Sequence, residues 1–251
     1  AQSLLMQSLE IYKTHLVKDY LGITQILGYL STIYRELGNF EEAKEYLNKS
    51  LSIYKEHLPK NHVGLARTLG YAGIVSRELG FYSTAKDYLE QSLFVYKKHL
   101  PENHIGKAWS LVHLGKVFEK LGEYSKARTL MEEGLEIYQK SFPEDTTAWV
   151  LIYLASVYKE LGDYAKAKIL LEQSLENYQQ TLPNDHVYIG WVLFLLGSVH
   201  NKITDYEQAQ DYLEKSLRIH EDKFSKDHIE IARSLNEIGK NSLCLGQLDA
   251  A

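Results

Sequence analysis

Apolar residues along this chain recur at intervals of three and four, which places them on one face of a helix. Leu111, Leu114, Gly115 and Phe118 mark one such face. Ala127, Met131, Gly134, Leu135 and Tyr138 mark a second, beginning just after Tyr124. Between the two stands Gly122, the residue best suited to a left-handed helix end. The same pair of faces returns along the whole chain. Leu-Gly dipeptides stand at Leu37-Gly38, Leu79-Gly80, Leu121-Gly122, Leu161-Gly162 and Leu245-Gly246, with Ile203-Thr204 in the remaining slot. The step is about 42 residues, shortened to 40 once, just before Trp149. The pattern predicts helices over 1–17, 21–37, 40–57, 63–79, 82–99, 105–121, 124–141, 146–161, 164–181, 187–203, 206–223 and 229–245. They alternate as a first helix, A, and a second helix, B, of each unit.

The register explains many residues that otherwise invite a functional reading. Ala43, Ala85, Ala127, Ala167 and Ala209 share one slot, where helices A and B must approach closely. Tyr12, Tyr54, Tyr96, Tyr138, Tyr178 and His220 share another, as an aromatic ladder between successive units. All four prolines, Pro59, Pro101, Pro143 and Pro183, sit in the loop after helix B. There Asn61, Asn103, Asp185 and Asp227 are placed to cap the next helix A. His62, His104, His186 and His228 follow them and dress the helix starts. The pairs His57/His62 and His99/His104 repeat because the unit repeats, and no cysteine or carboxylate cluster completes a metal site beside them.

Units of this kind bury their apolar faces against neighbours and build an all-α solenoid. The phase of Leu111, Leu114, Gly115, Phe118, Gly122, Tyr124, Ala127 and Gly134 resembles the tetratricopeptide repeat. The 42-residue length is similar to the extended form found in kinesin light chains and many bacterial repeat proteins. His228-Ile229-Glu230-Ile231-Ala232-Arg233-Ser234-Leu235-Asn236 is similar to the light-chain pattern H-P-x-V-A-x-x-L-N, with Ile229 in place of proline. The resemblance implies a right-handed superhelix over 1–251. It begins with a helix B at 1–20 and continues as full repeats at 21–62, 63–104, 105–145, 146–186 and 187–228, with a partial repeat at 229–251. The paired asparagines of light-chain helix A are absent. Their positions hold Gly28-Tyr29, Gly70-Tyr71, Val112-His113, Ile152-Tyr153 and Phe194-Leu195, so kinesin cargo specificity does not carry over.

The same resemblance puts helix A on the concave surface and so selects candidate groove residues. Trp109, Trp149 and Trp191 fill one slot, and Tyr29, Tyr71, His113 and Tyr153 lie one turn further on. Arg35, Arg77, Lys159 and Lys202 follow, beside Glu36, Glu78 and Glu160. Two readings stand for the tryptophans: anchors for a peptide segment, or rings packed on the preceding helix B. The family implies a protein-interaction scaffold, with a ligand-sensing arm of a larger regulatory ATPase as the alternative.

Composition narrows the partners. Asp and Glu exceed Lys and Arg by 33 to 28, a net charge of −5, which argues against nucleic acid. One cysteine, Cys244, leaves no internal disulfide and fits a reducing, cytoplasmic setting. No apolar run reaches the roughly 20 residues that span a bilayer. Motifs for phosphate loops, zinc proteases or serine nucleophiles are missing, so neither an enzyme nor a cofactor is expected. Ala1 and Ala251 fall in the small-residue slot, which suggests a segment of a longer array. Its ends would expose Leu4, Leu5, Leu243 and Leu248 and favour end-to-end self-association.

Overall fold

The computed structural model describes residues 1–16, 18–59, 62–141 and 147–246. Among them are twelve α-helices. The first seven are α1 (Gln2–His15), α2 (Tyr20–Glu36), α3 (Phe40–His57), α4 (Val63–Glu78), α5 (Tyr82–His99), α6 (Ile105–Lys120) and α7 (Tyr124–Ser141). The remaining five are α8 (Ala148–Glu160), α9 (Tyr164–Thr181), α10 (Val187–Lys202), α11 (Tyr206–Lys223) and α12 (Ile229–Cys244). Even-numbered helices are the A helices and odd-numbered ones the B helices. The expected spans at 40–57, 82–99, 124–141, 164–181 and 206–223 match in full; the A helices end one residue earlier than expected. Residue 17, the expected end of α1, and residue 146, the expected start of α8, lie outside the described residues. The architecture is an all-α solenoid, divided into two compact units at Ala1–Ser141 and Phe142–Ala251.

In unit 1 the chain packs α2 on α3, α4 on α5 and α6 on α7, and α1, α3 and α5 also pack on α2, α4 and α6. In unit 2, α8 pairs with α9 and α10 with α11, and α12 closes on α11. The small slot makes these pairings close. Ala43, Ala85, Ala127, Ala167 and Ala209 are all completely buried. Opposite them, a Cβ on Gly73 would stand 2.6 Å from Leu89 and 3.1 Å from the Ala85 carbonyl oxygen. Gly115 and Gly197 are held in the same way against Met131 and Leu213. Serines then tie B to A: Ser92 Oγ donates to the Ala66 carbonyl at 2.7 Å, Ser174 to Ala148 at 3.0 Å and Ser216 to Gly190 at 2.8 Å.

Every A helix ends in the predicted left-handed residue. Gly38, Gly80, Gly122, Gly162 and Gly246 have φ between 72° and 82°, and Thr204 takes the same turn at φ 62°. The next backbone N–H bonds to the carbonyl five residues back, as from Glu123 to Phe118 and from Asp205 to His200.

The A-helix starts correct one expectation. Asn103, Asp185 and Asp227 do not cap them, and Asn61 lies outside the described residues. The caps are His62, His104, His186 and His228, whose Nδ1 atoms accept from the backbone N–H two residues on at 3.0–3.2 Å. The reason is the turn before each helix: the His104 N–H bonds to the Pro101 carbonyl at 3.1 Å, and the helix opens one residue later than the Asn/Asp slot. The tyrosine ladder follows from these starts. In unit 1, Gly22, Gly64 and Gly106 each face a tyrosine of the preceding B helix, Tyr12, Tyr54 and Tyr96, at a distance where a Cβ would collide.

Candidate functional site

The A helices of unit 1 carry six of the candidate groove residues. Tyr71, Trp109, His113 and Arg77 come together. The Trp109 ring meets Tyr71 edge-on at 5.3 Å and His113 edge-on at 4.5 Å. It is half-buried because Gly70 leaves room for it on α4; a Cβ there would strike the indole. Trp109 therefore packs on the preceding A helix at Gly70. Tyr29 stands apart, 55% exposed on α2.

His113 is 8% exposed beneath this group, and Arg77 Nη1 lies 3.4 Å from its Nδ1. Burial, then the charges of Arg77, Arg35 and Lys116, hold its pKa well below 6.5. The imidazole is thus neutral and accepts from Arg77. Arg77 also pairs with Glu78 at 2.5 Å, Arg35 with Glu36 at 3.4 Å and Lys116 with Glu119 at 2.6 Å. Burial, the largest influence on Lys116, pulls its pKa down. The far ends of the A helices in this unit form a largely paired basic cluster.

At the near ends lies a cleft of about 220 Å³, lined by Arg67, Tyr71, Tyr96, Ile105, Gly106, Trp109 and Tyr138. Arg67 is exposed. Burial pushes the Tyr96 hydroxyl up to about 12 and raises that of Tyr138 as well. Sequence reasoning assigned Tyr96 and Tyr138 to the ladder and passed over Arg67. The register held the signal, because Arg67 occupies the slot of Trp109, Trp149 and Trp191.

Unit 2 arranges its candidates differently. Trp149 and Tyr153, both half-buried, meet edge-on at 5.6 Å. Trp191 is 37% exposed and lies 5.3 Å from Tyr188, which itself touches Tyr178 at 5.5 Å. Lys159 pairs with Glu160 at 3.6 Å and lines a polar hollow of about 530 Å³ with Ser198, Asn201, Lys202 and Lys240. Asn201, rather than Lys202, holds the slot of Lys159.

The tetratricopeptide repeat model matches residues 1–56, 22–98, 64–140, 146–222 and 188–251. The chain belongs to the tetratricopeptide repeat family. No curated protein matches it. Solved tetratricopeptide structures do. Repeats of a Podosopora anserina putative kinesin light chain are 23% identical over 78% of this chain and 93% of that one, with a TM-score of 0.65. NprR, in complex with its cognate peptide NprX, is 17% identical over 99% of this chain and 70% of its own, with a TM-score of 0.71. A STAND protein with a tetratricopeptide repeat sensor from Pyrococcus horikoshii is 17% identical over 96% of this chain and 36% of its own, at 0.71. At these identities the likeness is one of fold. Among the described residues of this repeat chain, no helix is long and apolar enough to cross a membrane.

Proposed function

We propose that this repeat protein is a cytoplasmic interaction scaffold whose A-helix face takes a peptide or protein segment. The observation that carries the reading is the exposure of large rings on that face: Tyr29 in unit 1, and Trp191 with Tyr188 in unit 2. Aromatic side chains standing in water beside fixed charges are the usual anchors of a binding surface. NprR, of similar fold, is a peptide complex, which supports the same kind of ligand. The net charge of −5 supports a protein partner over nucleic acid. A binding role rather than catalysis is supported by the pairing of charged groups along the face, Arg77 with Glu78 and Lys159 with Glu160.

Capture of the partner from the source cell tests the reading. Trp149→Ala with Tyr153→Ala weakens a true partner by about 2 kcal/mol or more while circular dichroism stays unchanged. Undiminished capture by a folded double variant overturns it.

A second reading, a sensing arm of a larger regulatory ATPase, is favoured by the match to the Pyrococcus horikoshii sensor protein over 96% of this chain. A nucleotide-binding domain in the same open reading frame is the finding that would select it. We also propose end-to-end self-association. Sedimentation that stays monomeric at high concentration removes this part.

A further inference from the structure

We propose that the cleft between α4, α5, α6 and α7 is a binding site for an aromatic ring that carries a carboxylate. A dry cavity of about 150 Å³ holds a benzene ring. At about 220 Å³ this cleft has room for a ring and a short acidic substituent. Its walls are the faces and edges of Trp109, Tyr71 and Ile105, surfaces that favour a flat apolar guest.

The polar side of the cleft selects the substituent. Arg67 projects there with no ion pair or hydrogen bond among the described residues, whereas Arg35 and Arg77 are matched by Glu36 and Glu78. Arg67, Tyr71 and Tyr96 all line this one cleft, so a single guest can reach all three side chains. Burial keeps Tyr96 protonated through the physiological range, and its hydroxyl remains a donor. Ile105 and Gly106 open the 16-residue helix α6, whose positive dipole end faces the same space. An unpaired cation, two phenolic donors and a helix start match one carboxylate and reject an amide or an amine. The guest comes either as a free aromatic acid or as the C-terminal aromatic residue of a chain. The site stands in unit 1 and does not rest on the peptide reading, whose test lies in unit 2.

The test uses ¹H–¹⁵N spectra of the intact chain, with the three indole signals assigned by single Trp→Phe changes. Phenylacetate should shift the Trp109 signal saturably, while Trp149 and Trp191 serve as internal controls. Phenylacetamide should bind about tenfold more weakly, the effect of one charge-assisted hydrogen bond. Arg67→Gln, an exposed change to the residue that Gln25 supplies at the equivalent slot, should abolish that tenfold preference without disturbing the spectrum. Equal affinity for acid and amide, or a Trp109 shift no larger than the controls, overturns the proposal. Gly-Gly-Phe with a free carboxylate separates the two sources. Binding tenfold tighter than phenylacetate marks a chain end as the natural guest, and binding no tighter marks a free acid. Trp149→Ala with Tyr153→Ala should leave the phenylacetate shift intact, so the two proposals fail separately.

Discussion

Trp109 in unit 1 and Trp191 in unit 2 occupy the same slot of the repeat and lead different lives. Trp109 sinks against α4 because the residue it faces there is Gly70. The register puts Ile152 in the corresponding place before Trp191, and that ring stands 37% exposed against Tyr188. The helix starts differ in the same sense. Unit 1 uses glycine where the ladder tyrosines seat, at Gly64 and Gly106, whereas the slot in unit 2 holds Tyr188, 44% exposed, and Glu230. The depth of an aromatic residue in a repeat is set by its neighbour's smallest side chain more than by its own identity. Unit 1 has thereby gained an aromatic-walled cleft, and unit 2 an exposed pair of rings.

The sharpest way to break this contrast is to fill Gly70. Gly70→Val should drive the Trp109 indole out towards water, at a cost of about 2 kcal/mol from overpacking. A red shift of its fluorescence, measured against Trp149→Phe/Trp191→Phe as background, reads the movement. Unchanged emission with full stability would mean that Gly70 does not set the depth of the ring.

The next largest effect separates the two units by pH. His113 in unit 1 is depressed by burial and by three neighbouring cations. His220 in unit 2 is depressed by burial but drawn upward by Glu230. A depressed folded pKa means that the unfolded chain takes up the proton first as pH falls below about 6.5. The stability these neutral histidines contribute is therefore present above that value and lost below it, at up to about 1.4 kcal/mol per pH unit for each group. His113→Leu, using the residue that Leu195 supplies at the same slot, should flatten the melting profile between pH 6.5 and 5 more than His220→Tyr does. Equal slopes would remove the asymmetry.

Smallest is the turn at Thr204, the one non-glycine with positive φ among the described residues. Left-handed backbone costs an L-residue roughly 1–2 kcal/mol, part of which glycine returns as chain entropy. Thr204→Gly should thus stabilise by about 0.5–1 kcal/mol in denaturant titration. Gly162→Thr should destabilise by a similar amount.

Much of the fold was legible because period and punctuation agree. Helical spacing located every helix, and Leu-Gly pairs marked every A-helix end, including the Ile203-Thr204 exception. The cap residues were misread for a physical reason. Asn and Asp are the intrinsically preferred N-caps, but the turn that starts at Pro101 fixes where the helix opens and puts His104 there. The candidate site was readable slot by slot and no further. Register locates Trp109 and Tyr71 on one face, yet nothing in the spacing tells that Gly70 admits the indole. Nor does it tell that Tyr96 and Tyr138, ladder residues by phase, also wall a cleft. Arg67 was passed over because its slot was recognised by its tryptophans.

The serine that ties α5, α9 and α11 to their partner helices has a kinetic consequence. Ser92 reaches Ala66, Ser174 reaches Ala148 and Ser216 reaches Gly190, each across 26 residues. A link of that span closes only a short loop, so little chain entropy is spent before the bond forms. Contacts of low sequence separation favour fast folding, and any helix pair that forms first offers its neighbour a finished surface. Such a chain has several places to begin folding, and damage to one repeat leaves the others able to nucleate on their own.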